Sequence, residues 1–168
     1  MPAAEGGGPA PRFFLDTNIL VYTFSQQDLV KRSVARRLAE SEGAWVSTQV
    51  LSELAHVLTR RFRVPVPEVK DRIASISASC EIETVSPAVV LDALRIMDTY
   101  GFGFFDSQIV AAALASGATT LYSEDLHHGQ AIDGTLRIVS PFSRELAQLG
   151  APYRVRRRVR ARGVRAFR

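Results

Sequence analysis

Along residues 12 to 140, short apolar runs alternate with longer stretches in which apolar residues recur every three or four positions. The runs "RFFLD" (12–16), "AWVS" (44–47), "EIETV" (81–85), "TTLYS" (119–123) and "LRIVS" (136–140) predict strands, being short, rich in β-branched or aromatic residues and bounded by polar ones. The stretches between them predict helices: a short one near 18–24, a charged one near 28–41 ended by Gly43, one over 49–62 capped by Thr48, and one opened by Pro67 in "VPEVKDRIASISAS". A further helix has Ser86 as its cap, Pro87 in its first turn and Gly101 as its stop. The helix in "GFGFFDSQIVAAALASG" is apolar nearly all round and belongs at the centre of the fold. Strands separated by helices of this length need crossover connections. The expected fold is therefore α/β, a three-layer sandwich with a central, mainly parallel sheet of about five strands and helices on both faces.

In such a sheet ligands bind outside the carboxyl ends of the strands, and acidic residues recur there. Asp16 ends the first strand among Phe13, Phe14, Leu15 and Ile19, where an isolated carboxylate costs several kcal/mol unless something neutralises it. Glu53 lies at the edge of the apolar stripe of "STQVLSELAHVLTRRF", with no basic residue at i+4. Asp106 opens the all-apolar helix, and Asp125 follows "TTLYS" by two residues. Each has an ordinary reading: Asp16 as a turn or cap, Glu53 as a solvated residue beside the core, Asp106 as an N-cap, Asp125 as a surface turn in which Glu124 competes with it. Four acids from separate segments at one rim exceed those readings. Carboxylates brought together repel, which raises their pKa values and destabilises the fold unless a cation sits among them.

With 46% hydrophobic residues in 168, the chain is sized for one domain, expected over 12–145. The Gly- and Pro-rich residues 1–11 are expected to be disordered. No apolar stretch approaches the length of a membrane span and the opening does not read as a secretory signal, so a soluble, cytoplasmic protein is expected, with no membrane partner. A single cysteine, Cys80, and three histidines offer no zinc-type spacing, and His127 and His128 read as surface residues. Any metal would be a hard one held by oxygen, Mg²⁺ or Mn²⁺, which suits phosphoryl chemistry. The net charge of +4 divides unevenly, because eight arginines fall within 154–168; the other 13 Lys and Arg face 17 Asp and Glu, so residues 1–153 sum to −4. The basic tail of 146–168 is expected to be disordered, and either attracts RNA in a salt-dependent way or only solubilises the chain.

The segments "FFLDTNILVY", "STQVLSELAHVLTRR", "GFGFFDSQIVAAALASGATTLYSEDLHHGQ" and "LRIVSPF", in that order over about residues 12–142, resemble the PIN domain, and within it the VapC-like toxins of bacterial toxin–antitoxin pairs. The resemblance implies a Mg²⁺- or Mn²⁺-dependent endoribonuclease whose catalytic, metal-holding positions match Asp16, Glu53, Asp106 and Asp125. Thr17, Asn18 and Ser123 are then candidates for orienting the carboxylates, with Glu124 a further one. The resemblance also implies a homodimer and an antitoxin protein that blocks the acidic pocket. Apolar residues in the helices near 18–24 and 49–62 are the expected surface for such partners. Ser107 and Gln108 depart from the small apolar residues that often follow the third acid, and the Arg-rich tail lies outside the resemblance.

Arg60, Arg61 and Arg63 are candidates for holding an RNA strand, against the alternative that arginines at a helix end only complement its dipole. Two other functions stay open. One is a phosphatase with Asp16 as nucleophile, disfavoured because Asn18 stands where haloacid dehalogenase-like enzymes carry a second Asp and no phosphate-binding lysine motif is evident. The other is a PIN-like module that binds RNA or protein without catalysis.

Overall fold

In the computed structural model, residues 10–143 are described, and most of the N-terminal segment and the basic tail discussed above lie outside them. Six strands form in chain order: β1 (Phe13–Leu15), β2 (Ala44–Ser47), β3 (Glu81–Glu83), β4 (Thr120–Tyr122), β5 (Ala131–Ile132) and β6 (Leu136–Val139). They make one sheet of order β3-β2-β1-β4-β6-β5, parallel except for β5, which runs antiparallel to β6. All three residues of β1 are buried, as expected for a central parallel strand covered on both faces, and Phe14 pairs with Trp45 on one side and Leu121 on the other. The sixth strand, β5, was not expected. Two residues are too few to show an alternating pattern, and the available signal was the Asp133-Gly134 pair, whose φ values of 48° and 69° make the hairpin turn into β6.

Six helices connect the strands: α1 (Thr17–Tyr22), α2 (Leu29–Ala39), α3 (Thr48–Arg60), α4 (Val66–Ser79), α5 (Pro87–Tyr100) and α6 (Phe104–Ala115). Helix α5 runs as the sequence reading placed it, with Ser86 accepting from the Val89 N–H and Gly101 ending it in the left-handed conformation at φ 75°. Two assignments shift. The cap of α3 is Ser47, whose Oγ accepts from the Val50 N–H at 3.2 Å, while the Thr48 hydroxyl accepts instead from the Val85 N–H beyond β3. Helix α2 ends at Ala39, and Gly43 lies beyond it at φ 90°, where a Cβ would fall 2.5 Å from the Pro11 carbonyl oxygen. Glycine is needed there because the chain entering β1 crosses directly over it.

Right-handed crossovers place α1 to α4 on one face of the sheet, since the path β1-β2-β3 steps in one direction, and α5 and α6 on the other, since the path then returns to β4. The core is filled by Phe14, Leu15, Leu20, Leu54, Ile96 and Leu121, all fully buried. Helix α6 is buried continuously from Ser107 to Ala113, which accounts for its apolar character on every side. β1 and β4 are neighbours whose connections leave in opposite directions, so the strand order reverses between them. A crevice opens outside their carboxyl ends, the position at which parallel α/β sheets bind ligands.

Candidate active site

Asp16 follows β1 directly and caps α1. It is 6% exposed, and its Oδ1 accepts from the Thr17 N–H at 2.6 Å while Oδ2 accepts from Ser123 Oγ at 2.7 Å and Asn18 Nδ2 at 2.9 Å. Its pKa is pushed up to about 6: burial raises it most, the hydrogen bonds from Ser123 and Thr17 pull it down, and the Asp125 and Glu53 carboxylates raise it further. Among the described residues the Asp16 side chain is held by neutral donors, with no cationic side chain bonded to it.

The other three acids reach the same crevice from separate elements. Glu53, on the second turn of α3, accepts from Thr17 Oγ1 at 2.7 Å and from Gln49 Nε2 at 2.7 Å. Thr17 thus ties two of the carboxylates together through its backbone and its hydroxyl. Asp125, after β4, accepts from Asn18 Nδ2 at 3.0 Å, so that one amide bridges the Asp16 and Asp125 carboxylates. Asp106 lies in the first turn of α6 but does not cap it; the cap is Gly103, with no side-chain bond. Its pKa is raised, first by burial and then by Asp125 and Glu53. Asp16 and Asp106 thus each feel the Asp125 and Glu53 carboxylates as like charges. Among the described residues, no three of these groups stand close enough to ligate one ion directly.

Ser123 is fully buried, donates to Asp16 and accepts from the Asp125 and Leu126 N–H groups, which fixes the turn that presents Asp125. Glu124 points elsewhere: Lys31 and the Tyr22 hydroxyl bind it, and Lys31 lies over the Tyr22 and Phe142 rings. Partial burial raises the Glu124 pKa, but those two bonds outweigh it and leave the carboxyl below the usual range. Arg60, Arg61 and Arg63 are exposed at the far end of α3, roughly 10 Å along its axis from Glu53 at the usual rise per residue, and are not brought to the carboxylates. Ser107 and Gln108 are buried beside Asp106. His128 accepts from the Ser140 N–H through Nδ1, a structural contact. Gln49 escaped the sequence reading, although its signal was present: it stands four residues before Glu53, at the spacing where helix side chains meet.

The sequence matches the family model described as PIN domain over residues 13–131, a span that contains all four acids. The chain belongs to the PIN domain family. The four acids therefore stand within the PIN domain, at the switch point of its sheet. No curated protein matches the sequence. Among solved structures, the PIN domain is similar to the sarcin-ricin loop cleaving VapC toxin of Mycobacterium tuberculosis, at 20% identity and a TM-score of 0.54, covering 67% of this chain and 89% of that one. It is also similar to the DNA-bound VapBC of Salmonella typhimurium, at 20% identity and TM-score 0.58 over 77% and 98% of the two chains. A toxin–antitoxin complex from Klebsiella pneumoniae is similar at 18% identity and TM-score 0.58, over 77% and 97%. At these identities the likeness is one of fold. No helix among the described residues is long and apolar enough to cross a membrane.

Proposed function

We propose that this PIN domain is a Mg²⁺- or Mn²⁺-dependent endoribonuclease and the toxin of a VapBC-type toxin–antitoxin pair. The observation that carries the reading is the gathering of Asp16, Glu53, Asp106 and Asp125 at one switch point, with no cationic side chain among the described residues paired to them. The side chains gathered here offer an all-oxygen donor set, which would suit a hard cation that keeps part of its water shell, with Asp16, Glu53, Asp106 and Asp125 as the residues that would hold it. When bound, such an ion neutralises the cluster, polarises a phosphoryl group and shields the charge that builds during in-line attack. The chain's own residues do the positioning: Thr17 and Ser123 fix Asp16, Thr17 and Gln49 fix Glu53, and Asn18 holds Asp125 against Asp16. Asp106 and Asp125 are the more exposed of the four acids.

The toxin reading is supported by the descriptions of the similar structures as VapC or VapBC proteins. It carries with it an RNA substrate, a cognate antitoxin and a homodimer. A phosphatase using Asp16 as nucleophile fits poorly, because that carboxylate is buried and both its oxygens are already engaged. The test is incubation of pooled tRNA, rRNA fragments and mRNA with the purified protein and Mg²⁺ or Mn²⁺. Discrete cuts that disappear in EDTA are expected. RNA that is bound yet intact with either metal would replace the nuclease with a non-catalytic binding module.

A further inference from the structure

A groove of about 430 Å³ opens beside the acidic cluster, with Thr17, Gln49, Glu53, His56, Val57 and Phe105 among its lining residues. It shares Thr17 and Glu53 with the cluster, so whatever fills it lies next to the carboxylates. Phe105 is 66% exposed, an unusual placement for a phenyl ring adjoining Asp106. The ring is nonetheless set in place: it meets Phe104 edge-on at 5.5 Å, and its backbone carbonyl accepts from Gln49 Nε2 at 3.1 Å. That bond and the one to Glu53 fix the Gln49 amide, leaving its Oε1 buried without a partner. Among the described residues no Lys or Arg lines the groove, and Glu53 supplies negative charge. A phosphate is therefore disfavoured in the groove, whereas an uncharged ring with N–H donors on its edge suits it.

We propose that this groove is a nucleobase subsite, in which a base of a single-stranded RNA stacks on Phe105 while its phosphate lies over the carboxylates. The inference rests on the ribonuclease reading and deepens it by assigning the face that selects the nucleotide beside the cut. His56 is the polar side chain placed to read the base edge, Gln49 being tied to Glu53 and the Phe105 carbonyl, and the apolar Val57 and Phe105 exclude water from its faces.

The test measures binding without cleavage, by fluorescence anisotropy of short labelled oligo(A), oligo(U) and oligo(C) RNAs, with an abasic ribose-phosphate oligomer of the same length as control and Ca²⁺ in place of Mg²⁺. Wild type should prefer at least one base-bearing RNA over the abasic strand. Phe105→Ala should cut that preference about tenfold while leaving abasic affinity unchanged, and Phe105→Trp should restore it. Equal preference in folded Phe105→Ala overturns the subsite, as does an equal loss on base-bearing and abasic strands. Unchanged RNA affinity with altered self-association in sedimentation would assign the groove to a protein neighbour instead. If wild type binds no RNA at all, the ribonuclease reading itself fails and the subsite with it; if wild type binds and cleaves but Phe105→Ala matches it, only the subsite fails.

Discussion

Asp16 titrates near 6 in the folded chain and near 3.8 as a free side chain. Between those values the folded state holds more protons than the unfolded one, so the stability of the metal-free protein falls as pH rises from about 4 to about 6. The full difference is about 3 kcal/mol, present below both values and lost above them. Thermal unfolding in EDTA across that range should show the decline, and excess Mg²⁺ at neutral pH should reverse it; a flat profile would mean that the carboxylate is compensated by something else. Asp106 behaves more simply, because the neighbours that shift it are both acids. Asp106→Asn should leave the metal-free protein as stable or more so while weakening cation binding, which separates it from a structural cap. Glu124 and Asp125 are adjacent but should differ: Lys31→Ala, which removes a partly exposed ion pair and two ring contacts, should lose about 1 kcal/mol of stability, whereas Asp125→Asn should lose cation affinity with little change in stability. Denaturant titration beside a Mn²⁺ titration of both variants checks the split.

Helix α3 carries Glu53 to the crevice, so its anchoring matters to the site as well as to the fold. Leu54 is fully buried on the inner face, and Leu54→Ala should cost about 2–5 kcal/mol in denaturant unfolding. Ser47→Ala should remove the cap for about 1 kcal/mol, and Thr48→Ala should instead release the Val85 contact. That distinction was hidden in the sequence, since adjacent Ser and Thr can both cap a helix and the position of β3 decides which hydroxyl is occupied. By contrast the ends of α5 were legible from Ser86, Pro87 and Gly101, because each acts on its own backbone. On the helices near 18–24 and 49–62, where a partner surface is expected, Ile19, Leu20, Val50, Leu54 and Leu58 are consumed by packing while Phe62 stays exposed; the other exposed large apolar residues among those described are Leu29, Val30, Val66, Phe105 and the Leu91, Leu94 and Met97 face of α5. Periodicity shows that a stripe exists but not which neighbour covers it.

Across the whole molecule, the position of the acids was readable because each stands beside a strand end or helix start, and a parallel sheet brings those ends to one rim. Their support was not readable. Gln49 and the Asn18 bridge between Asp16 and Asp125 depend on side-chain directions that only the packed crevice sets, and the Glu124–Lys31 pair joins residues far apart in the chain. The strand order, reversing between β1 and β4, converts four separately explicable acids into one site with an excess of negative charge. Compensation of this charge by a divalent cation is read out by calorimetric titration of the metal-free protein with Mn²⁺ near pH 6. Saturable binding is expected, with proton release as Asp16 ionises, and with affinity reduced at least about tenfold in Asp106→Asn. A folded wild-type protein that takes up no Mn²⁺, or an Asp106→Asn variant that binds it equally well, would contradict the assignment.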